Sequence, residues 1–400
     1  MKKVLYVHYQ KSDRDGPYIH TREFGRAFAA LCREKGTAFS VVEPKTGFWD
    51  AGRSPFLARL KKGLARYFLH DLKTLSVQFT RVLRELAMLK RERPDVVLTR
   101  YNETTISILW ACRKKKIPAA LELNAPDSEK LLRRKTYWRV PGMEKLFSIR
   151  HAFELSSGAF GVSDDLLAAL RESSGSKKPL AVIPNGVNLD RFDPRISGLA
   201  VRNRYGFTER TVVVGYVGSF PLFHSMEGLL DRIPSMVEEE PELRFLLVGQ
   251  VTSYEDWLVR RVKEPRLAPY VILAGFAPPQ EIPAYVAAMD IAILPNTAAY
   301  CSPLKIFEYM AMARAIVAPA TAPVVFVVTH QKEGLLFEPE NYGQMAEAIL
   351  QLARDPDLRA RIGAAARVHV AKDFTWRRNA ERVYEFLLKV CEQHRERGSQ

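Results

Sequence analysis

Short apolar runs rich in β-branched residues alternate along the chain with longer stretches whose apolar residues recur at helical spacing. The first half contains six such runs: VLYVHY (4–9), FSVV (39–42), DVVLT (95–99), AALELN (119–124), GAFGVS (158–163) and LAVIP (180–184). The second half contains five: TVVVGYVG (211–218), RFLLVG (244–249), YVILAG (270–275), DIAILP (290–295) and AIVAP (315–319). This alternation is typical of parallel β-strands joined by crossover helices, so it predicts an α/β fold.

One interruption divides the alternation, the stretch NLDRFDPRISG (188–198), which is rich in Pro, Gly and Arg. A chain of 400 residues also exceeds what one hydrophobic core usually supports. We therefore predict two Rossmann-like αβα domains, residues 1–192 and 193–379, which face each other across a cleft. A last helical pattern begins at Thr375, a suitable N-cap, and continues to the last few residues.

The segment from Pro55 to Lys90 has the pattern of a long amphipathic, basic helix. Its apolar stripe is formed by Leu57, Leu60, Leu64, Phe68 and Leu72, and basic residues stand between them. Two interpretations stay open. The favoured one is a crossover helix that packs on its own sheet, and the other is a surface element that contacts a membrane interface.

Composition places the chain among ordinary globular proteins, with 47% hydrophobic and 26% charged residues. No run approaches the roughly 18 apolar residues of a membrane span, and the first run is too short for a secretory signal, so we expect a cytoplasmic protein. Cys32, Cys112, Cys301 and Cys391 are widely spaced. They are predicted to be reduced thiols that neither form disulfides nor bind zinc.

The basic charge is confined to the first half of the chain. Residues 1–200 contain 37 Lys and Arg against 21 Asp and Glu, a net charge of +16, whereas residues 201–400 have 23 against 24. A field of one sign attracts an anionic partner, such as an anionic lipid, an acceptor that carries pyrophosphate, or a nucleic acid. The alternative is a set of solvated basic helix faces.

The segment SPLKIFEYMAMARAIVAP (302–319) follows the strand pattern DIAILP directly. Ser302 can cap a helix, and Pro303 suits the first helical position because its missing N–H has no intrahelical partner there. The N-terminus of a helix that follows a strand is where open α/β sheets bind anions. The backbone N–H groups of Leu304 and Lys305, together with the Lys305 ammonium, are therefore predicted to hold a diphosphate.

Glu308 lies three residues after Lys305 on nearly the same helix face, roughly 4.5 Å further along the axis. A carboxylate beside a diphosphate is unfavourable unless it has its own partner, and two adjacent ribose hydroxyls can donate to it as a pair. One helical turn would thus bind diphosphate and ribose. The alternative is an amphipathic helix on which both side chains are only solvated.

At this point the chain resembles the family-4 glycosyltransferases, in particular the branch whose donor motif reads Ser-Pro-x-Lys-x-x-Glu-Tyr-Met-Ala. Further segments match in the expected order: VIPNGVNLDRF (182–192), VVGYVGSFPLFHSMEGLL (213–230), FLLVG (245–249), VILAGFAPPQEIPAYVAAMDIAILP (271–295) and EGLLFEP (333–339). The resemblance implies the GT-B fold. In it the first domain binds the acceptor, the second binds a nucleotide-sugar donor, and the terminal helix, from about residue 380, crosses back to the first domain.

The resemblance also implies roles for single residues of the donor motif. Glu308 matches the glutamate that usually binds the nucleotide ribose. Leu304 and Lys305 match positions whose backbone amides hold the distal phosphate. Tyr300 replaces a glutamate that normally contacts the donor sugar, and Ala313 replaces a glycine at the exit of the helix.

The other donor-binding candidates lie in two loops of the second domain. In GSFPLFH, Ser219 replaces the usual arginine and His224 the usual lysine, so one cation is lost and the other becomes titratable. Lys305 can replace part of that charge. In the GFAPP loop, Gly275 and Phe276 match the region that contacts the base, with core packing as the alternative for Phe276.

In the first domain, DGPYIHTREF (15–24) takes the place of the family's glycine-rich loop. Gly16 would let the backbone approach the donor. His20 and Arg22 are nearby candidates, although solvent-facing positions at a helix start are the more common outcome. Asn124 stands where the family often has histidine, so no general base is evident there. We take Asn124, His20 and His224 as the candidate catalytic residues.

The implied reaction is a transfer with retention of configuration. Helix dipole, Lys305 and His224 would stabilise the leaving nucleoside diphosphate, so neither a metal nor a cofactor is needed. The expected partners are a nucleotide-sugar donor, a glycan or lipid-linked acceptor of cell-envelope or extracellular polysaccharide synthesis, and an anionic membrane surface. One alternative is a catalytically silent binding or scaffolding protein of the same fold. Nucleic-acid binding is disfavoured, because no recognised reading motif is present.

Overall fold

In the computed structural model of the chain, the described residues are 1–9, 16–42, 65–102, 105–126, 143–174, 178–251 and 256–398. The chain forms two compact units, the first made of Met1–Ile183 with Asn379–Gln400 and the second of Pro184–Arg378. Each unit has its own parallel six-stranded sheet with helices between successive strands. The prediction of two Rossmann-like α/β domains is confirmed.

The sheet of the first unit has the strand order β2-β1-β3-β4-β5-β6, and all its pairs are parallel. All six predicted runs of this half form strands. β4 is buried at every position, because helices cover both faces of a parallel sheet. The strands are β1 (Lys3–Val7), β2 (Ala38–Val42), β3 (Val96–Arg100), β4 (Ala119–Leu123), β5 (Gly158–Gly161) and β6 (Leu180–Val182).

The described helices of this unit are α1 (Gly16–Glu34), α2 (Ala65–Glu92), α3 (Ile106–Lys115), α4 (Met143–Leu146), α5 (Ile149–Leu155) and α6 (Asp164–Ser174). Helix α2 belongs to the predicted segment Pro55–Lys90 and packs against α3. This contact supports the favoured interpretation as a crossover helix. Of the predicted apolar stripe, Leu57, Leu60 and Leu64 lie outside the described residues, and the side chains of Phe68 and Leu72 lie outside the described side chains.

The sheet of the second unit has the order β12-β11-β10-β7-β8-β9, again with parallel pairs throughout. The five predicted runs all form strands. A sixth strand was not predicted, because its segment EGLLFEP has only three consecutive apolar residues between a glycine and a glutamate. The strands are β7 (Val212–Val217), β8 (Leu243–Val248), β9 (Val271–Gly275), β10 (Ile291–Ile293), β11 (Ala315–Pro319) and β12 (Leu335–Phe337).

The helices of the second unit cover both faces of this sheet. They are α7 (Leu199–Arg204), a 3₁₀ turn (Leu222–His224), α8 (Met226–Leu230), α9 (Ile233–Glu239), α10 (Asp256–Arg261), α11 (Ile282–Ala287), α12 (Leu304–Ala311), α13 (Ala322–Val325), α14 (Tyr342–Arg354) and α15 (Pro356–Asp373). Helix α12 follows β10, as the sequence predicted, although its capping residues differ from the prediction.

The division between the units falls after Ile183 rather than after residue 192. Val187 pairs with Thr375 in a parallel bridge, and Phe192 is buried in the core of the second unit. An added Cβ at Gly186 would lie 2.7 Å from the backbone of Thr375, so only glycine allows this close approach. Residues 184–192 therefore pack with the second unit, and the boundary lies before the Pro/Gly/Arg-rich stretch of residues 188–198 rather than within it.

The last helix, α16 (Trp376–Gly398), returns to the first unit. Its N-cap is Thr375, as predicted, because the Thr375 hydroxyl accepts a hydrogen bond from the backbone N–H of Arg378 at 3.1 Å. Further along, the Tyr384 hydroxyl lies 2.8 Å from that of Thr37, and the ring of Phe386 meets Phe160 edge to face. The predicted return of this helix is confirmed.

The sequence also predicted the state of the cysteines and the absence of a membrane-spanning segment. Cys32, Cys112, Cys301 and Cys391 are free thiols, as predicted. Among the helices that the structure describes, none combines the length and the apolar character that a membrane crossing demands.

Candidate active site

The start of α12 differs in detail from the prediction. Pro303 is the N-cap in extended conformation and makes no side-chain capping bond, and the first helical residue is Leu304. Ser302 is not the N-cap but the residue before it; it is buried, and its carbonyl accepts a 2.7 Å hydrogen bond from the Asn185 side chain. With no capping side chain, the N–H groups of Leu304 and Lys305 remain available to a ligand at the helix N-terminus.

Lys305 is buried, with 9% of its surface exposed, so the interpretation as a solvated lysine is wrong. Its Nζ donates to the Tyr216 hydroxyl at 2.7 Å and approaches Nε2 of His224 at 3.0 Å. The same atom lies 4.3 Å from the centroid of the Tyr216 ring, a cation–π distance. Burial lowers the pKa of Lys305 to about 7.

His224 does not supply the positive charge that the sequence predicted. Its Nδ1 lies 2.8 Å from the carbonyl oxygen of Asn296, which can only accept, so Nδ1 carries the proton. Nε2 is then the acceptor for the Lys305 ammonium. Burial, followed by the charge of Lys305, lowers the pKa of His224 to about 2. The imidazole is therefore neutral, and Lys305 is the cation of this pair.

Glu308 lies one turn beyond Lys305 on α12 and is half-buried. The next residue, Tyr309, is buried and accepts a 2.9 Å hydrogen bond from the backbone N–H of Val217. This bond fixes the turn that carries Glu308 against the end of β7. The ribose-binding role of Glu308 stays a prediction, as does the effect of Tyr300, which precedes the helix.

Three glycines let the backbone come close at the carboxyl ends of β7, β8 and β9. Gly218 has a φ of +133°, and a Cβ there would lie 3.2 Å from Nζ of Lys305. A Cβ at Gly249 would meet the Gly218 carbonyl at 1.9 Å. Gly249 in turn donates to the carbonyl of Gly275, which has a φ of +73°. These strand ends therefore form a continuous backbone surface beside Lys305.

Two further donor-site candidates lie in the same loops. Ser219 is exposed, and its carbonyl accepts a hydrogen bond from the Tyr216 hydroxyl that also contacts Lys305. Phe276 follows Gly275 and is 53% exposed, so the core-packing alternative for this ring is wrong. The second unit thus places the candidates of the SPLK, GSFPLFH and GFAPP segments along the carboxyl edge of one sheet, where open α/β sheets bind ligands.

In the first unit, Gly16 is the first residue of α1 and His20 lies in the second turn. His20 is buried, with 5% of its surface exposed, so the solvent-facing interpretation is wrong. Its Nδ1 accepts from Nη1 of Arg100 at 2.9 Å, because a guanidinium can only donate. Nε2 then carries the proton and faces Glu122 at 3.5 Å. Burial lowers the pKa of His20 to about 4, so this imidazole is also neutral.

Glu122, which was not predicted, stands at the centre of this cluster. Its carboxylate accepts from the Asn124 amide at 2.7 Å and from the Tyr6 hydroxyl at 3.3 Å, and it is 1% exposed. Burial alone would raise the pKa of Glu122, but His20, Arg100 and the two hydrogen bonds bring the pKa below its usual value. A glutamate inside the buried strand AALEL was the available signal, because a buried charge needs partners.

Two family models match the chain. The model described as Glycosyltransferase Family 4 matches residues 19–191, and the one described as Glycosyl transferases group 1 matches residues 211–355. The chain is 27% identical over 219 residues to D-inositol 3-phosphate glycosyltransferase of Corynebacterium jeikeium, which covers 53% of this chain and 52% of that protein. The chain thus spans about half the length of this relative.

A second relative is the GDP-mannose-dependent monoacylated alpha-(1-6)-phosphatidylinositol monomannoside mannosyltransferase of Corynebacterium glutamicum. It is 25% identical over 234 residues, 56% of this chain and 60% of that protein. Among known structures, sucrose-phosphate synthase from Thermosynechococcus elongatus superposes with a TM-score of 0.74 at 19% identity, over 98% and 99% of the two chains. Anabaena Alr3699/HepE in complex with UDP gives 0.72 at 17%, over 97% and 99%. These structural matches establish the fold.

The Glu122 cluster generates a prediction about stability. Tyr6, Asn124 and His20 all donate toward this carboxylate, so Glu122→Gln turns an N–H₂ group toward donors and leaves part of the cluster unpaired. We expect the free energy of unfolding in urea to fall by about 1–3 kcal/mol. Glu154→Gln removes an exposed pair with Arg150 and should cost less than about 1 kcal/mol. Equal stability of Glu122→Gln and the unmodified protein would refute this account.

Proposed function

Because this chain belongs to the family-4 glycosyltransferases, we propose that it transfers a sugar from a nucleoside-diphosphate sugar to an acceptor hydroxyl with retention of configuration. The observation that carries the proposal is the buried Lys305 ammonium beside an uncapped helix N-terminus, at the carboxyl edge of the second sheet. A cation and free N–H groups at one point form a site for a diphosphate.

The first turn of α12 holds the donor phosphates in this proposal. The backbone N–H groups of Leu304 and Lys305 bind the distal phosphate, and Nζ of Lys305 approaches from the side of Gly218, where the absent side chain leaves room. Ser219 offers a hydroxyl and His224 a neutral imidazole, so Lys305 is the cation of this group. Glu308, one turn further, accepts from the ribose hydroxyls.

The base is assigned to the end of β9. The exposed ring of Phe276 offers a flat apolar surface, and the positive φ of Gly275 turns the chain sharply before it. As the sugar–phosphate bond breaks, negative charge grows on the diphosphate, and Lys305 and the α12 dipole stabilise that charge. The acceptor hydroxyl attacks from the same face, and its proton passes to the leaving phosphate. Since these groups supply the electrostatic stabilisation, we propose that no metal is required.

Two results together test this function. We expect UDP or GDP and their sugar conjugates to raise the thermal unfolding temperature, because a ligand at 100 times its Kd adds about 2.7 kcal/mol. With a suitable acceptor, transfer should proceed in EDTA, and NMR of the product should show the anomeric configuration of the donor. Donor binding without transfer or donor hydrolysis would favour the silent binding protein instead. Failure of every nucleotide to bind would refute the proposal.

Glu308 has its own test. Glu308→Ala should weaken nucleotide-sugar binding by about 1.5–3 kcal/mol, because it removes a carboxylate that accepts from two ribose hydroxyls. Calorimetric titration measures the change. Glu347→Ala, which changes an exposed glutamate on α14, is the control and should bind the donor normally. An unchanged donor Kd in Glu308→Ala contradicts the assigned role.

For the acceptor we propose a lipid-linked glycan of cell-envelope or extracellular polysaccharide synthesis, reached by a cytoplasmic protein at an anionic membrane surface. The net charge of +16 in residues 1–200 supports this. Helix α2 exposes Phe79 and Leu83, and the adjacent α3 exposes Trp110 with Nζ of Lys114 over its ring at 5.2 Å. Basic residues beside exposed aromatic and aliphatic side chains favour anionic interfaces.

Flotation with liposomes tests the membrane proposal. The protein should float with anionic vesicles at low salt and be released as salt rises. The double variant Phe79→Ser, Leu83→Ser should float less, because it removes the apolar contact and keeps the charge. Val368→Ser, which changes an equally exposed residue of α15 in the second unit, is the control. No flotation of the unmodified protein with anionic vesicles would rule the surface out.

A further inference from the structure

The buried contacts of Lys305 carry one inference beyond the donor-site assignment. We propose that His224 is a positioning residue: its neutral ring accepts a hydrogen bond from the Lys305 amine and so holds that amine in place. We further propose that binding of the diphosphate brings a proton onto this amine. The inference rests on the proposed donor-binding function. Donor binding would then be accompanied by the uptake of a proton.

The two neighbours of the His224 ring set its tautomer. Nδ1 is committed to the Asn296 carbonyl at 2.8 Å, which orients the ring, and Nε2 is left to face Nζ of Lys305 at 3.0 Å. A second positive charge at that distance in a buried place would be strongly unfavourable. His224 therefore fixes the position of the amine without competing for charge.

The groups around the Lys305 amine come from three elements. Tyr216 from β7 contributes its hydroxyl and ring face, and burial keeps that hydroxyl protonated by raising its pKa. The 3₁₀ turn contributes the neutral His224. The thiol of Cys301 and the carboxylate of Glu308 face Lys305 from its own segment and partly oppose the effect of burial on its pKa. In the described part of the chain, no carboxylate lies within ion-pair distance of Nζ.

Binding of the diphosphate and protonation of Lys305 are thermodynamically linked. Without a ligand, Lys305 has a pKa of about 7 because burial disfavours its charge. A bound diphosphate supplies the missing negative charge and raises this pKa, so the complex is protonated where the free protein is not. The sign follows directly: donor affinity falls as pH rises above about 7. The sugar-substituted diphosphate does not itself titrate in this range.

The experiment is calorimetry at pH 8 with UDP-glucose and GDP-mannose as probes, in two buffers that differ in enthalpy of ionisation. The buffer dependence of the heat gives the number of protons taken up. We expect an uptake between about half a proton and one proton, and an affinity that falls from pH 7 to pH 8.5. Binding without proton uptake would overturn this inference and leave the proposed function standing. No binding of any nucleotide sugar would overturn both.

Lys305→Met and Cys301→Ser identify the group that takes up the proton. Lys305→Met should abolish the uptake and weaken binding about tenfold to a hundredfold, because one charge-assisted bond is lost. Cys301→Ser, which removes the nearby thiol and keeps the amine, should retain the proton uptake. Proton uptake that persists in Lys305→Met would assign the proton elsewhere and refute the inference.

A pair of His224 variants separates positioning from folding. His224→Gln places an acceptor oxygen near the site of Nε2 and should keep both binding and proton uptake. His224→Asn can still donate to Asn296 but ends short of Lys305, and it should weaken binding by about tenfold. Thermal unfolding shows whether both variants are folded. Equal donor affinity in His224→Asn and the unmodified protein would refute the positioning role.

Discussion

The burial of the Lys305 ammonium is the constraint on which the second unit's site depends. An ammonium taken out of water needs partners, and here the partners are neutral: a hydroxyl, a π-face and an imidazole nitrogen. Such a set holds the amine in place without neutralising it. The site therefore still favours a negative charge beside Lys305, and an anion bound at the α12 N-terminus supplies that charge.

Sheet topology makes this arrangement possible. β7 and β10 are neighbours, although 73 residues lie between them in the sequence, so the loop after β7 and the helix after β10 begin at the same edge. Tyr216 lies near the end of β7 itself, His224 in the 3₁₀ turn that follows it, and Lys305 in the first turn of α12. Glycines at 218 and 249 remove the side chains that would otherwise stand between the strand ends. The site is thus built from three elements that only the parallel order brings together.

The sequence was sufficient for all strands of the two sheets except β12, because β-branched runs in a parallel sheet are apolar on both faces and the helices between them are not. It also located the start of α12, since few segments combine Ser, Pro and a following helical pattern. It was insufficient for the protonation of single groups. His224 was expected to carry positive charge, and His20 was a catalytic candidate with a solvent-facing position as its alternative. The neutral form of each depends on burial and on a neighbour distant in the sequence, Lys305 for His224 and Arg100 for His20. Glu122 was overlooked because its partners Tyr6 and His20 come from other elements.

The two buried histidines now constrain the proposed chemistry in the same way. His20 accepts at Nδ1 and donates at Nε2, and His224 does the reverse, yet each accepts from a side chain that is a permanent or potential cation. Their acceptor nitrogens are occupied and burial disfavours their charged forms. Neither ring is therefore a ready proton acceptor for an incoming hydroxyl, and Asn124 offers only an amide. None of the three candidate catalytic residues is therefore a ready base, which agrees with the proposed mechanism, in which an oxygen of the departing diphosphate takes the proton of the acceptor hydroxyl.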